Sequence, residues 1–298
     1  MTTGFAPDAL TRSVIETMQR TPDPRLREIM TALATHLHAF VRETRLTEDE
    51  FRAATALLNE MGKLASDTHN ETVLMAGSLG VSALVCLLNH GENGASETSQ
   101  NLLGPFWRLN SPRIENGGSL VRSPVAGPSM EATLRFVDHR GEPVAGADVD
   151  VWHCSGDGLY ENQDARQVDF NLRGTLTTDL AGEIRFTSIK PIGYPIPTDG
   201  VVGRLLKAQD RHAFRPAHVH ALAVKPGFKV LISQVYADDD PNLASDPQFG
   251  VTPATTGRFE RHEAPHPGRP EFSTPWYSLR HTLTMEPGEP RLPKPPIR

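Results

Sequence analysis

The apolar residues of this chain change their period once, and that change most constrains the fold. Up to about residue 90 they recur at helical intervals; from Glu131 onward they alternate with polar ones. Residues 25–45 contain neither Pro nor Gly and carry Leu26, Ile29, Met30, Leu33, Leu37 and Phe40 three and four positions apart, an amphipathic helix. Pro22 and Pro24 around Asp23 mark its start. Thr47-Glu48-Asp49-Glu50 has the form of a capping box and opens a second helix with Phe51, Ala54, Leu57, Leu58 and Met61 on one side. A third, more apolar helix is expected over residues 71–88, closed by Asn89-His90-Gly91.

After a polar run at 91–100 and a loop rich in Gly, Pro, Asn and Ser, the pattern reads as short strands. They are expected at 133–137, 147–152, 174–178, 183–189, 218–224, 229–236 and 277–285. The 25 Pro and 24 Gly fit the many turns between them. Strands in such a run, without interleaved helices, indicate a β-sandwich rather than βαβ units. The expected architecture is therefore α+β overall. A helical unit occupies residues 1–100, and an all-β sandwich with a Pro-rich C-terminal tail occupies residues 101–298.

A formal net charge of −6 without a basic block argues against nucleic acid and against a polybasic membrane contact. Cys86 and Cys154 are the only cysteines, too few for a disulfide framework, which favours a reducing cytoplasm. Residues 1–20 lack the apolar core of a secretory leader. The most apolar window, residues 73–88, is interrupted by Gly77, Ser78, Gly80 and Ser82, and reads as a buried helix rather than a membrane span.

The segment Arg215-Pro216-Ala217-His218-Val219-His220 runs into Ala221-Leu222-Ala223-Val224, a buried strand bounded by Pro216 and Pro226. On a strand, positions i and i+2 point to one face about 7 Å apart, so His218 and His220 present two imidazoles side by side. That placement suits a metal, and it also suits two structural histidines. His36 and His38 have the same spacing in a helical pattern, where the side chains diverge, and are not expected to be ligands. No carboxylate stands at a spacing that singles it out. Of the four tyrosines, Tyr160 and Tyr194 sit among turn residues, in Asp157-Gly158-Leu159-Tyr160 and Gly193-Tyr194-Pro195-Ile196-Pro197. Each could be a packing residue, and loops on a β-frame are also where sites are built.

Residues 103–251 resemble the intradiol ring-cleavage dioxygenases, non-haem iron(III) enzymes that open catechols between their two hydroxyls. The resemblance is carried by Gly104-Pro105-Phe106, Asp148-Val149-Asp150-Val151-Trp152-His153, residues 157–160, Tyr194-Pro195-Ile196-Pro197-Thr198-Asp199-Gly200, Arg211-His212, and residues 215–220. It implies one Fe(III) per chain, held by Tyr160, Tyr194, His218 and His220. Phenolate is a hard anionic donor suited to a trivalent ion. The resemblance further implies that Tyr194 leaves the metal to take a substrate proton, that Arg215 steadies charge developing on the ring, and that Gln234 lies near the oxygen-binding face. A surface salt bridge for Arg215 and an edge-strand amide for Gln234 are the plain alternatives. The substrate pocket it implies is lined by Leu74, Gly77, Gly104, Pro105, Phe106, Ile196 and Pro197. The helical region is similar to the branch in which it joins a homodimer and binds a phospholipid.

The loop at 194–206 is most similar to that of the hydroxyquinol branch, which converts 1,2,4-trihydroxybenzene and O₂ to maleylacetate. Many members of that branch carry an acidic residue before Leu-Gly-Val-Ser. Here Leu79-Gly80-Val81-Ser82 follows Ala76-Gly77-Ser78. Catechol, or a bulkier catechol using the space at Gly77, is therefore the alternative substrate. Residues 137–147 also resemble the opening of transthyretin-like sandwich modules, many of which only bind, so a non-enzymatic module is the second class considered.

Overall fold

The computed structural model describes residues 6–66, 70–91 and 98–296. Most of the polar run at 91–100 lies outside them. Residues 1–60 and 61–298 form two compact units. The change from helix to strand expected near residue 100 is thus a change of structure type inside the second unit, which among the described residues also holds three whole helices.

The first unit contains α1 (Pro7–Met18), α2 (Pro24–Thr44) and most of α3 (Glu48–Leu64). Asp23 caps α2 by accepting from the Leu26 N–H, with Pro24 in the first helical turn. The capping box before α3 is formed: Glu50 accepts from the Thr47 N–H at 2.8 Å, and Thr47 Oγ1 accepts from the Glu50 N–H at 3.3 Å. α1 meets α2 through Thr11, which bonds His38 Nδ1 at 3.0 Å and Arg42 Nη1 at 2.7 Å. His38 thus serves helix packing. The α2 stripe of Leu26, Ile29, Leu33, Leu37 and Phe40 is exposed.

The helix expected over 71–88 is two helices, α4 (Glu71–Ser78) and α5 (Val81–Asn89), bent by 76°. Gly80 sits between them at φ 73°, a left-handed conformation that ends α4 and that only Gly adopts without strain. Among the described residues no single helix is long and apolar enough to cross a membrane, and only this bent pair passes that test jointly.

Among the described residues the β-body has ten strands: β1 (Ser129–Val137), β2 (Asp148–Trp152), β3 (Arg173–Thr177), β4 (Glu183–Ile189), β5 (Tyr194–Pro195), β6 (Phe214–Arg215), β7 (His218–Val224), β8 (Leu231–Ala237), β9 (Thr256–His262) and β10 (Trp276–Thr284). Hydrogen bonding runs through eight in the order β3-β2-β7-β8-β9-β10-β1-β4, while β5 and β6 pair separately. Strands β8 and β9 touch at only two parallel pairs, Tyr236 with Thr256 and Ala237 with Gly257, and this short seam divides the sheet into two four-stranded halves. Their facing side chains share one core: Val149, Val151, Val219 and Ala221 from one half, and Met130, Leu134, Phe136, Phe186 and Leu279 from the other. The sandwich expected from the sequence is therefore present.

Besides the two-residue strands β5 and β6, two elements were not expected. β9 reads poorly as a strand because its inward positions are Gly257 and Phe259, so one of the two contributes no apolar side chain. α6 (Val201–Ala208) is short, and its first turn is held by Glu71 of α4, whose buried carboxylate accepts from the Val202 N–H at 2.7 Å.

Candidate active site and metal centre

Alternation along β7 sends Val219 and Ala221 into the sandwich core, and His218 and His220 to the outer face of the same sheet. A cover of loops keeps that outer face dry. Trp107, Trp152, Cys154, Tyr160, Tyr194, Leu222 and Val230 form a second apolar cluster over it, with Leu103 and Phe106 packed against it. Trp152, opposite His220 in the register, stacks on its ring at 4.5 Å and 7°. Gly104 has φ 73°, and a Cβ there would stand 3.1 Å from His220 Cε1, so the covering strap can pass this close only as glycine.

Inside the cover, the two imidazoles and the two loop phenols converge. The His218 and His220 ring centroids are 4.8 Å apart. His218 Nδ1–H donates to the Pro216 carbonyl at 2.7 Å, which leaves Nε2 as an acceptor facing Tyr194 Oη at 3.2 Å. Tyr194 Oη lies 3.1 Å from Tyr160 Oη. Since Nε2 can only accept, the protons run from Tyr160 to Tyr194 to His218. His220 Nδ1 is buried with no hydrogen-bond partner among the described residues.

Burial governs the ionisation of this group. It raises the Tyr160 phenol well above its ordinary value, helped by Tyr194 beside it. It pushes Tyr194 up to about 12, the nearby Arg215 charge pulling the other way. It lowers His218 to about 3, with Arg215 adding to the effect, and holds His220 well below the usual imidazole range, with His218 adding. Without a cation the site therefore holds neutral imidazoles and protonated phenols. Two imidazole lone pairs and two phenols that only a strong Lewis acid would ionise are a donor set that fits a hard, highly charged metal ion. Among the described residues no three of His, Cys, Asp and Glu stand together as a metal site, so a metal held here requires the phenols.

Arg215 on β6 lies opposite Tyr194 on β5. It is buried rather than at the surface, and its Nε and Nη2 each reach an Asp246 carboxylate oxygen at 3.1 Å, while Nη2 also donates to Tyr236 Oη at 2.5 Å. Burial opposes both charges, yet their mutual attraction holds Arg215 above and Asp246 below its ordinary value. Gln234 is opposite His220 on β8, an internal strand, which removes the edge-strand alternative. Its Nε2 donates to the Leu102 carbonyl at 2.6 Å and its Oε1 accepts from Tyr236 at 2.7 Å. Asp246, Arg215, Tyr236 and Gln234 thus form one buried hydrogen-bonded chain beside the metal-competent group.

The chain matches the family described as "Dioxygenase" over residues 113–263 and "Catechol dioxygenase N terminus" over residues 23–97. It is 38% identical over 285 residues to hydroxyquinol 1,2-dioxygenase of a Rhizobium species, covering 94% of this chain and 96% of that one. It is also 38% identical to an intradiol ring-cleavage dioxygenase of Aspergillus niger, covering 82% of this chain and 74% of that one. The solved structure of hydroxyquinol 1,2-dioxygenase from Pseudomonas putida superposes with TM-score 0.85 at 33% identity, covering 95% and 99% of the two chains. This chain belongs to the intradiol ring-cleavage dioxygenases.

The structure brings most of the residues expected at an intradiol dioxygenase site into one place. Tyr160, Tyr194, His218, His220, Arg215 and Gln234 come together, and the non-enzymatic sandwich module is set aside by the family. Phe106 stacks on Tyr160 at 4.3 Å. Leu74 packs against an adjoining apolar cluster of Ile196, Val202 and Leu206. Pro105 and Pro197 are exposed. Gly77 corrects an expectation: the room it leaves is not free for a bulkier catechol, because a Cβ there would meet Gln248 Oε1 at 1.8 Å.

Four residues were missed. Tyr236 lies on a strand with no motif around it, and Asp246 and Gln248 lie in a turn with no distinguishing spacing. Arg173 is buried on β3, with Nε 2.7 Å from Glu161 Oε2 and Nη1 2.5 Å from the Phe106 carbonyl, and so ties both loops that carry Phe106 and Tyr160. A fully buried arginine in a strand reads from sequence as an outward-facing charge, and only its partners reveal otherwise.

Proposed function

We propose that this intradiol dioxygenase cleaves hydroxyquinol to maleylacetate at a non-haem Fe(III) held by Tyr160, Tyr194, His218 and His220. The observation carrying this reading is the dry convergence of two phenols and two imidazoles with no carboxylate among them. Iron(III) would supply a Lewis-acidic, electron-accepting centre at which a chelated diol becomes reactive towards O₂. Support for the substrate comes from the relatives named hydroxyquinol 1,2-dioxygenase in Rhizobium and in Nocardioides simplex, the latter 35% identical over 93% of this chain.

The chain's own residues have definable tasks. Tyr194 Oη, with its high proton affinity, is the base for one diol proton once it is freed as phenolate, and it lies between Tyr160 and His218 as a relay would. Arg215 is a fixed cation whose Nε and Nη2 are committed to Asp246 and Tyr236 while Nη1 makes no hydrogen bond among the described residues, so Nη1 can meet negative charge developing on the ring. Gln234 fixes the Leu102 carbonyl and Tyr236, while Trp152 and Phe106 exclude water. The same reading takes the exposed α2 stripe as the join of a homodimer with a phospholipid against it, and takes the two free cysteines as fitting a cytoplasmic protein.

Metal analysis, a visible spectrum and O₂ uptake on a substrate panel test the proposal. Stoichiometric iron, a broad visible absorption from phenolate-to-iron charge transfer, and cleavage of hydroxyquinol well above catechol are expected. Stoichiometric zinc without a visible band would refute the metal assignment. Efficient catechol cleavage without hydroxyquinol activity would refute the substrate.

A further inference from the structure

The position where a side chain at residue 77 would stand is occupied from the opposite wall. Gln248 is buried, and its carboxamide lies against Gly77, Oε1 at 1.8 Å and Cδ at 2.8 Å from where a Cβ would be. The amide is fixed from several sides. Its Nε2 donates to Ser78 Oγ at 2.8 Å, and its backbone N–H donates to Asp246 Oδ1 at 3.2 Å. Arg211 clamps the two segments that flank it, donating to the Ser78 carbonyl at 2.9 Å and the Pro247 carbonyl at 3.0 Å. Oε1 accepts no hydrogen bond among the described residues.

The two segments that hold this amide are each linked to the reaction site. Asp246, to which its backbone is tied, grips Arg215, which pairs with Tyr194. Leu74, one helical turn before Gly77, packs against the apolar cluster that contains Ile196, two residues beyond Tyr194. A side chain needed only to fill the notch could be apolar, whereas the amide presents a carbonyl that is free to accept a hydrogen bond. A ring hydroxyl can both donate and accept, and would satisfy that group.

We propose that Gln248 is the specificity-determining residue that meets the extra ring hydroxyl of a trihydroxybenzene, replacing from the 246–250 turn the carboxylate that residue 77 lacks. The inference rests on the hydroxyquinol reading above. A diol without the third hydroxyl leaves the amide unpaired and is disfavoured accordingly.

The test is the ratio of kcat/KM for hydroxyquinol over catechol. In Gln248→Leu the ratio falls roughly 10- to 100-fold, through loss on hydroxyquinol, with the visible band of the iron-loaded protein unchanged. Gly77→Ala displaces the amide from the other side without removing it, and the same fall is expected. Gly77→Asp combined with Gln248→Ala restores the preference with a carboxylate. A wild-type ratio in both Gln248→Leu and Gly77→Ala overturns the proposal while leaving the substrate reading intact. Wild-type protein that cleaves catechol but not hydroxyquinol overturns the reading itself.

Discussion

Replacing Asp246 by Asn tests whether Arg215 is a held catalytic cation or an incidental one. The two side chains are 2% and 6% exposed, so Asn leaves a guanidinium buried without its counter-charge. It also places an amide where Oδ1 accepts from Arg215 Nε and the Gln248 N–H, or where Oδ2 accepts from Arg215 Nη2 and the Gly250 N–H. Removing one partner of a buried pair costs about 3–5 kcal/mol. At roughly 2–4 °C per kcal/mol, the β-body should melt some 6–20 °C lower. Tryptophan fluorescence reads that transition selectively, because Trp107, Trp152 and Trp276 all lie in the 61–298 unit. Replacing both partners, Arg215→Met with Asp246→Leu, should recover most of the stability and none of the activity, since a buried pair is often matched by apolar residues of similar volume. The carboxylate binds fewer protons folded than unfolded. The pair's contribution is therefore full above the unfolded value of 3.8 and is lost as pH falls through the lower folded value. An Asp246→Asn protein that melts with the wild type and keeps its kcat would refute the argument.

Arg215→Ala should retain iron and colour while lowering kcat more than it raises KM, because charge on the ring forms only after chelation; stopped-flow and steady-state kinetics decide this, and an unchanged kcat would make Arg215 purely structural. Light scattering at micromolar concentration should show a dimer that Leu33→Asp weakens, since Leu33 lies mid-way along the exposed α2 stripe; a monodisperse wild-type monomer contradicts it. Burial raises the thiols of Cys86 to about 11 and Cys154 to about 12, so thiolate is scarce at pH 8 and both should resist a thiol reagent until denaturant is added. Rapid reaction of Cys154 in the native protein would mean that the cover over the site opens readily.

What the sequence determined was whatever depends on neighbours along the chain. The period-two pattern set His218 and His220 on one face and Val219 on the other, and local capping at Asp23 and Thr47 fixed where α2 and α3 begin. Tyr160 and Tyr194 were singled out as candidate ligands only by family resemblance, because nothing in the loops around them states that their hydroxyls meet at 3.1 Å. Where a glycine chose the conformation, as Gly80 does between α4 and α5, apolar residues on both sides of the interruption let the stretch read as one helix. Tertiary structure alone decided which charges are buried together. Asp246 finds Arg215 31 positions away, and the Gln248 amide meets Ser78 across 170, contacts that no periodicity encodes. The physical reason is that backbone geometry repeats locally, whereas the pairing of a buried polar group depends on which remote segment the closed sandwich brings within about 3 Å of it.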